Sequence, residues 1–135
     1  GSYHDHHSNK LPATLVLEES AISNPIMAAA GFTSSFKPSG SLYKTAPLLP
    51  GTELLLVGRV SDSETHQPLA WTFVRNDGGR SFYTSLGHVD DFAQPEFEAL
   101  LSAGIHWACG LEPSTLAQVE SQNARYASGH GKQRE

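Results

Sequence analysis

Asn76-Asp77-Gly78-Gly79 stands between two runs rich in Leu, Val, Phe, Tyr or Trp, one from Leu69 to Arg75 and the other from Arg80 to Leu86. Asn, Asp and Gly tolerate the positive φ that a tight antiparallel connection needs, so the two runs are expected to pair as a hairpin. The second run ends on Gly87-His88 and passes through Asp90-Asp91 into Gln94-Pro95-Glu96. That is a helix start, with Pro in the first turn and acids near the positive end of the helix dipole. Phe97, Leu100, Leu101, Ile105 and Ala108 then recur at helical spacing, giving an apolar stripe that should pack on the sheet until Gly110 stops the helix. A hairpin running directly into such a helix points to a layered α/β protein.

The rest of the chain fits around that unit. Thr52 to Val60 reads as a further strand, and its continuous apolar run Leu54 to Val57 suits a strand covered on both faces. Ala13 to Glu18 reads as a short strand, and Pro25 and Gly31 open and close a brief helix. Phe32 to Pro50 holds three prolines and should be mostly loop, with Ser41 to Lys44 a short strand within it. Pro113 to Tyr126 reads as a second, weakly amphipathic helix, and Ser128 to Glu135 as a frayed end.

At 135 residues the chain suits one domain. Its net charge of -5 and scattered basic residues argue against a nucleic-acid partner. No stretch approaches the ~20 apolar residues of a membrane span, so no membrane partner is expected. The single cysteine, Cys109, excludes an intramolecular disulfide and a cysteine-rich zinc ribbon, and is expected to be a buried structural thiol. The opening Gly1-Ser2-Tyr3-His4 lacks Met and any apolar leader, which reads as a start within a longer protein or after processing. The compartment is therefore open between cytoplasm and export.

His88 is the first candidate for chemistry, because the carboxyl end of a strand beside a helix N-terminus is where sites are built in open α/β proteins. An imidazole there serves as a general base, a donor to a sugar hydroxyl or a metal ligand, and Asp90 is placed to orient its Nδ1. The plain alternative is that His88 caps the turn. His6 and His7, with His4 and Asp5, offer ligands suited to a divalent metal such as zinc, although adjacent side chains diverge on an extended backbone. The alternative for them is a solvated terminal segment. Tyr43 and Trp71 supply flat surfaces on which sugars stack, with Lys44 or Arg75 bonding hydroxyls; the alternative is that both aromatics are core. His66 and His106 are read as structural. The chain has no Gly-x-Ser-x-Gly elbow and no phosphate-binding loop.

Taken in order, Gly1-Ser-Tyr-His-Asp-His-His7, Asn24-Pro25-Ile26, Ser39-Gly-Ser-Leu-Tyr43-Lys44, Leu69-Ala-Trp71, Gly79-Arg-Ser-Phe-Tyr83-Thr-Ser-Leu-Gly87-His88, Asp91-Phe92 and His106-Trp107-Ala resemble the ThuA-like family, named for trehalose utilisation. The resemblance implies an α/β fold of the class I glutamine amidotransferase-like kind, here a partial, flavodoxin-like layered sheet with a late β-hairpin and a packed C-terminal helix. Residues 1–111 would be the C-terminal portion of that domain, and 112–135 a C-terminal helix and flexible tail. In the family a flavodoxin-like half precedes the His-His segment, so that half is an expected partner; a homo-oligomer is left open. His88 falls where amidotransferases place the His after a late strand, and Asp90 where their paired acid lies. No cysteine matches the amidotransferase nucleophile, and Asn24 stands where the family usually has His, which removes one ligand.

The implied role is bacterial carbohydrate catabolism acting on trehalose or a keto-glycoside, of hydrolase type or by sugar binding. His6, His7, Tyr43 and Trp71 would bind the sugar, His88 would transfer a proton or bind hydroxyls, and Asp90 would orient it. Two alternatives stand beside it: a non-catalytic carbohydrate-binding or interaction module, and a divalent-metal site at His6 and His7, with or without His88.

Overall fold

The computed structural model describes residues 5–7, 13–32, 36–60 and 66–130. The expected hairpin is present: β5 (Gln67–Val74) turns through residues 75–79 into β6 (Arg80–Thr84), with Val74 opposite Arg80 and Trp71 opposite Tyr83. Asp77 holds the turn by accepting from the Gly79 amide at 3.0 Å and from Arg75 Nε and Nη2 at 3.0 and 2.8 Å. Gly78 takes φ +83°, the left-handed conformation foreseen for this tetrapeptide.

Upstream, β2 (Ala13–Leu17) and β4 (Glu53–Val60) complete a four-stranded sheet in the order β2-β4-β5-β6, with every pairing antiparallel. Leu55, Leu56 and Val57 are all buried, as the apolar run implied. Register irregularities between Leu54 and Leu56 and between Leu56 and Val57 interrupt the pairing there. Both faces of β4 and β5 are covered. On one side lie α1 (Pro25–Ala30) and α2 (Pro95–Ala108), packed on each other, with α2 along β6. Gly104 makes that approach close, since a Cβ there would overlap the Phe82 ring. On the other side Leu42 lies over Gly58 and Leu69, and Thr45, fully buried, bonds the Pro68 carbonyl through its hydroxyl at 2.7 Å.

Asn24 caps α1, its side chain accepting from the Ile26 amide at 2.9 Å while its amide group donates to Glu53 at 2.8 Å. The helix closes on Gly31 at φ +60°. A short ribbon pairs β1 (Asp5–His6) with β3 (Tyr43–Lys44), so His6 belongs to docked structure and not to a solvated tail.

Three expectations need correction. Ile105 is 60% exposed, because the buried face of α2 runs through Phe97, Leu100, Ala103 and Gly104. Cys109 is exposed, at the C-cap of α2. Nine residues beyond Leu100, it sits half a turn round the helix from the core, at roughly 100° per residue. The final helix, α3 (Leu116–His130), carries regular structure past Ser128, where a frayed end was expected; residues 131–135 lie outside the described residues. Among the described residues no helix is long and apolar enough to cross a membrane.

Candidate functional site

Past Thr84 the chain leaves the sheet and reverses at Gly87, whose φ of +137° is open to glycine and strained for other residues. His88 follows as the N-cap of a 3-10 turn over Val89–Ala93. The anchor of this reversal is Asp91, 1% exposed. Its Oδ2 accepts from the Gly87 and His88 amides at 2.9 and 3.0 Å. Its Oδ1 accepts from the Ser39 amide at 2.9 Å, which ties the segment 38–41 to the end of the hairpin. Gly40 then lies against His88, where an added Cβ would sit 3.5 Å from the His88 Cβ.

The two tied segments face each other across a cleft of about 500 Å³. Ser39, Gly40, Ser41 and Tyr43 form one wall, and the run from Tyr83 to His88 forms the other. Among the described residues the lining is made of hydroxyls, two phenols, Leu86, backbone and one imidazole, and no Lys, Arg, Asp or Glu is part of it. The Tyr83 ring is stacked on Trp71 at 3.9 Å between centroids and 18° between planes. Burial, with a smaller push from nearby Tyr43, raises the Tyr83 phenol above its ordinary value.

Of the residues singled out from sequence, Tyr43 and His88 line the cleft. Trp71, only 6% exposed, lies behind Tyr83 as its support and does not line the cleft. His6 meets the edge of Tyr43 at 6.4 Å between ring centroids, outside the lining. Its Nδ1 bonds the His7 carbonyl at 2.8 Å. His7 donates its amide to the Leu42 carbonyl at 2.8 Å, and its Nε2 is buried with no hydrogen-bond partner among the described residues. Successive side chains of an extended segment leave opposite faces, so His6 goes with exposed Tyr43 and His7 with buried Leu42. The two rings therefore do not converge on one ion. Among the described residues no three His, Cys, Asp or Glu side chains group as a metal centre would require; His4 lies outside them.

Lys44 is engaged by Asp5 at 2.9 Å, and the same contact lowers the Asp5 carboxyl below its usual range. Arg75 is engaged by Asp77 in the hairpin turn and likewise lowers that carboxyl. His66 is exposed, and His106 bonds the Ser102 carbonyl at 2.8 Å through Nδ1, within its own helix.

Asp90 and His88 meet in two ways. The Asp90 amide donates to His88 Nδ1 at 3.3 Å, and the Asp90 carboxylate lies 3.5 Å from the same nitrogen. Three contributors were absent from the sequence-derived site: Asp91, Tyr83 and the Ser39-Gly40-Ser41 wall. The spacing of a polar N-cap and an acid three residues later, His88-x-x-Asp91, is the signal that could have found Asp91. Counting across the hairpin from its turn could have paired Tyr83 with Trp71.

A family model described as ThuA, trehalose utilisation, matches residues 1–108 of the chain. No curated protein and no solved structure gives a significant match.

Proposed function

The chain belongs to the ThuA family, described by trehalose utilisation, and we propose that its cleft receives an uncharged sugar in bacterial carbohydrate catabolism, either trehalose or an oxidised keto-glycoside. The observation that carries this reading is the lining: hydroxyl groups and aromatic rings without a fixed charge. Uncharged sugars present hydroxyls around apolar C–H faces, and aromatic rings backed by rigid neighbours give those faces a surface at small entropic cost. Tyr83 on its Trp71 support offers the stacking surface, Tyr43 flanks it, and Ser39 and Ser41 stand opposite, while the Thr84 and Ser85 hydroxyls already bond the Leu86 amide and the Leu69 carbonyl. A phosphorylated sugar would find no Lys or Arg among the described lining residues. The reaction assigned to the site in this reading is of hydrolase type, with His88 the imidazole of the described lining.

The test is calorimetric titration of the whole chain with trehalose and with a keto-glycoside, beside Tyr83→Ala. Loss of the stacking ring should weaken binding about tenfold, the equivalent of roughly 1.4 kcal/mol. No heat from either sugar, or equal affinity in the variant, would remove this reading. A second reading, binding without turnover, is favoured by the engagement of His88 Nδ1 in the turn. Sugar binding with no product formed over prolonged incubation would select it.

A further inference from the structure

The Gly87-His88 reversal determines which nitrogen of the imidazole is free. The Asp90 N–H points at Nδ1 from 3.3 Å, and a nitrogen that accepts a hydrogen bond cannot itself carry the proton. The neutral ring must then hold its proton on Nε2. The competitor is the Asp90 carboxylate, which would draw a proton onto Nδ1. Its oxygen is the more distant partner at 3.5 Å, on a side chain 74% exposed, where water screens its pull. The amide, by contrast, is part of a backbone that cannot turn away. Asp91 holds it there, bonding the Gly87, His88 and Ser39 amides through its carboxylate while its own N–H bonds the His88 carbonyl at 2.9 Å.

We propose that His88 serves the cleft as an Nε2–H hydrogen-bond donor, set in that tautomer by the Asp90 backbone amide, with Asp91 as the positioning residue. This rests on the reading of the cleft as a sugar site. In the neutral state such an imidazole has no free lone pair toward the ligand, so it is not the base that accepts a proton. It instead polarises an oxygen, the carbonyl of a keto-sugar or the bridging oxygen of a glycoside, in the way a neutral imidazole acts as an electrophile. Asp90, expected from sequence to orient His88 through its carboxylate, does so here through its amide.

Long-range proton–nitrogen NMR of the whole chain with labelled histidine, at a pH about 1.5 units above the ordinary histidine value near 6.5, reads the tautomer without any ligand. Exposed His66, with no hydrogen bond to its ring among the described residues, is the internal reference. His88 should show a wider separation of its two nitrogen signals than His66, with the proton on Nε2. Asp90→Ala, which keeps the amide, should leave that pattern unchanged, whereas Asp90→Pro and Asp91→Asn should move it towards His66. A separation no wider than that of His66, a proton on Nδ1, or a collapse in Asp90→Ala would each overturn the proposal. Because Asp90 is a surface side chain, Asp90→Ala decides the matter even where the Pro or Asn variant fails to fold.

A trehalose titration separates this proposal from the cleft reading. The Gln amide nitrogen reaches the place of Nε2, and the Asn side chain reproduces only the cap. His88→Gln should therefore bind within a few-fold of the parent, and His88→Asn should lose about tenfold. A parent that binds no trehalose sinks the cleft reading while the NMR result stands. A parent that binds, with Gln and Asn equally impaired, counts against the donor role.

Discussion

At the scale of single residues the site is set by groups that never touch the cleft. Trp71 gives Tyr83 its orientation from behind, and Asp91 supports the His88 backbone from below. Tyr83 also carries a measurable signature of its surroundings. Burial raises its phenol in the folded state, so the neutral form is favoured there relative to the unfolded chain. The contribution is complete below the ordinary phenol value near 10 and is lost as pH climbs through the raised one. Urea unfolding between about pH 9 and 11 should therefore show stability falling with pH, and Tyr83→Phe should flatten part of that fall. An identical slope in both proteins would show that Tyr83 carries no such shift.

At the scale of elements, the contact between β6 and α2 is a close joint. Phe82 lies against the helix where Gly104 leaves no side chain, and the buried face of α2 continues through Phe97 and Leu100. Gly104→Ala favours the helix backbone by about 1 kcal/mol on propensity alone. Its methyl would nonetheless force the Phe82 ring out of place, at a cost of roughly 1–3 kcal/mol. Thermal unfolding should show a lower Tm for Gly104→Ala and a restored one for Gly104→Ala combined with Phe82→Leu; a raised Tm in the single variant would mean the joint is loose.

The elements themselves were largely legible in the sequence. Asn76 to Gly79 announced the hairpin, and Pro25 and Gly31 marked the short helix. The buried side of α2 was legible only in part, since Ile105 has the spacing of a core residue and faces solvent because the helix meets the sheet along Phe97 and Gly104. The site was half legible for a related reason. His88 and Tyr43 are conspicuous residue types at element ends, whereas Asp91, the Ser39 wall and the support role of Trp71 depend on contacts between distant parts of the chain.

For the molecule as a whole, α3 stands apart. It meets the rest of the protein chiefly through α2, and its described side chains are mostly exposed. Removing residues 112–135 should lower Tm by no more than about 4 °C, the effect of roughly 1 kcal/mol in a domain near this size. A larger loss in differential scanning calorimetry would show that α3 contributes to the fold that carries the cleft.

The bond from the Ser39 amide to Asp91 joins residues 52 apart in sequence. A contact of that span closes a long loop, and its loop-closure entropy must be offset by the packing of the strands between. The same bond makes opening a local event. Breaking it loosens Ser39 between the flanking tethers at Lys37, held by Gln94, and Leu42, held by His7, while the hydrogen bonds of the sheet remain intact. The Ser39 amide should accordingly exchange with solvent deuterium sooner than those of β4 and β5.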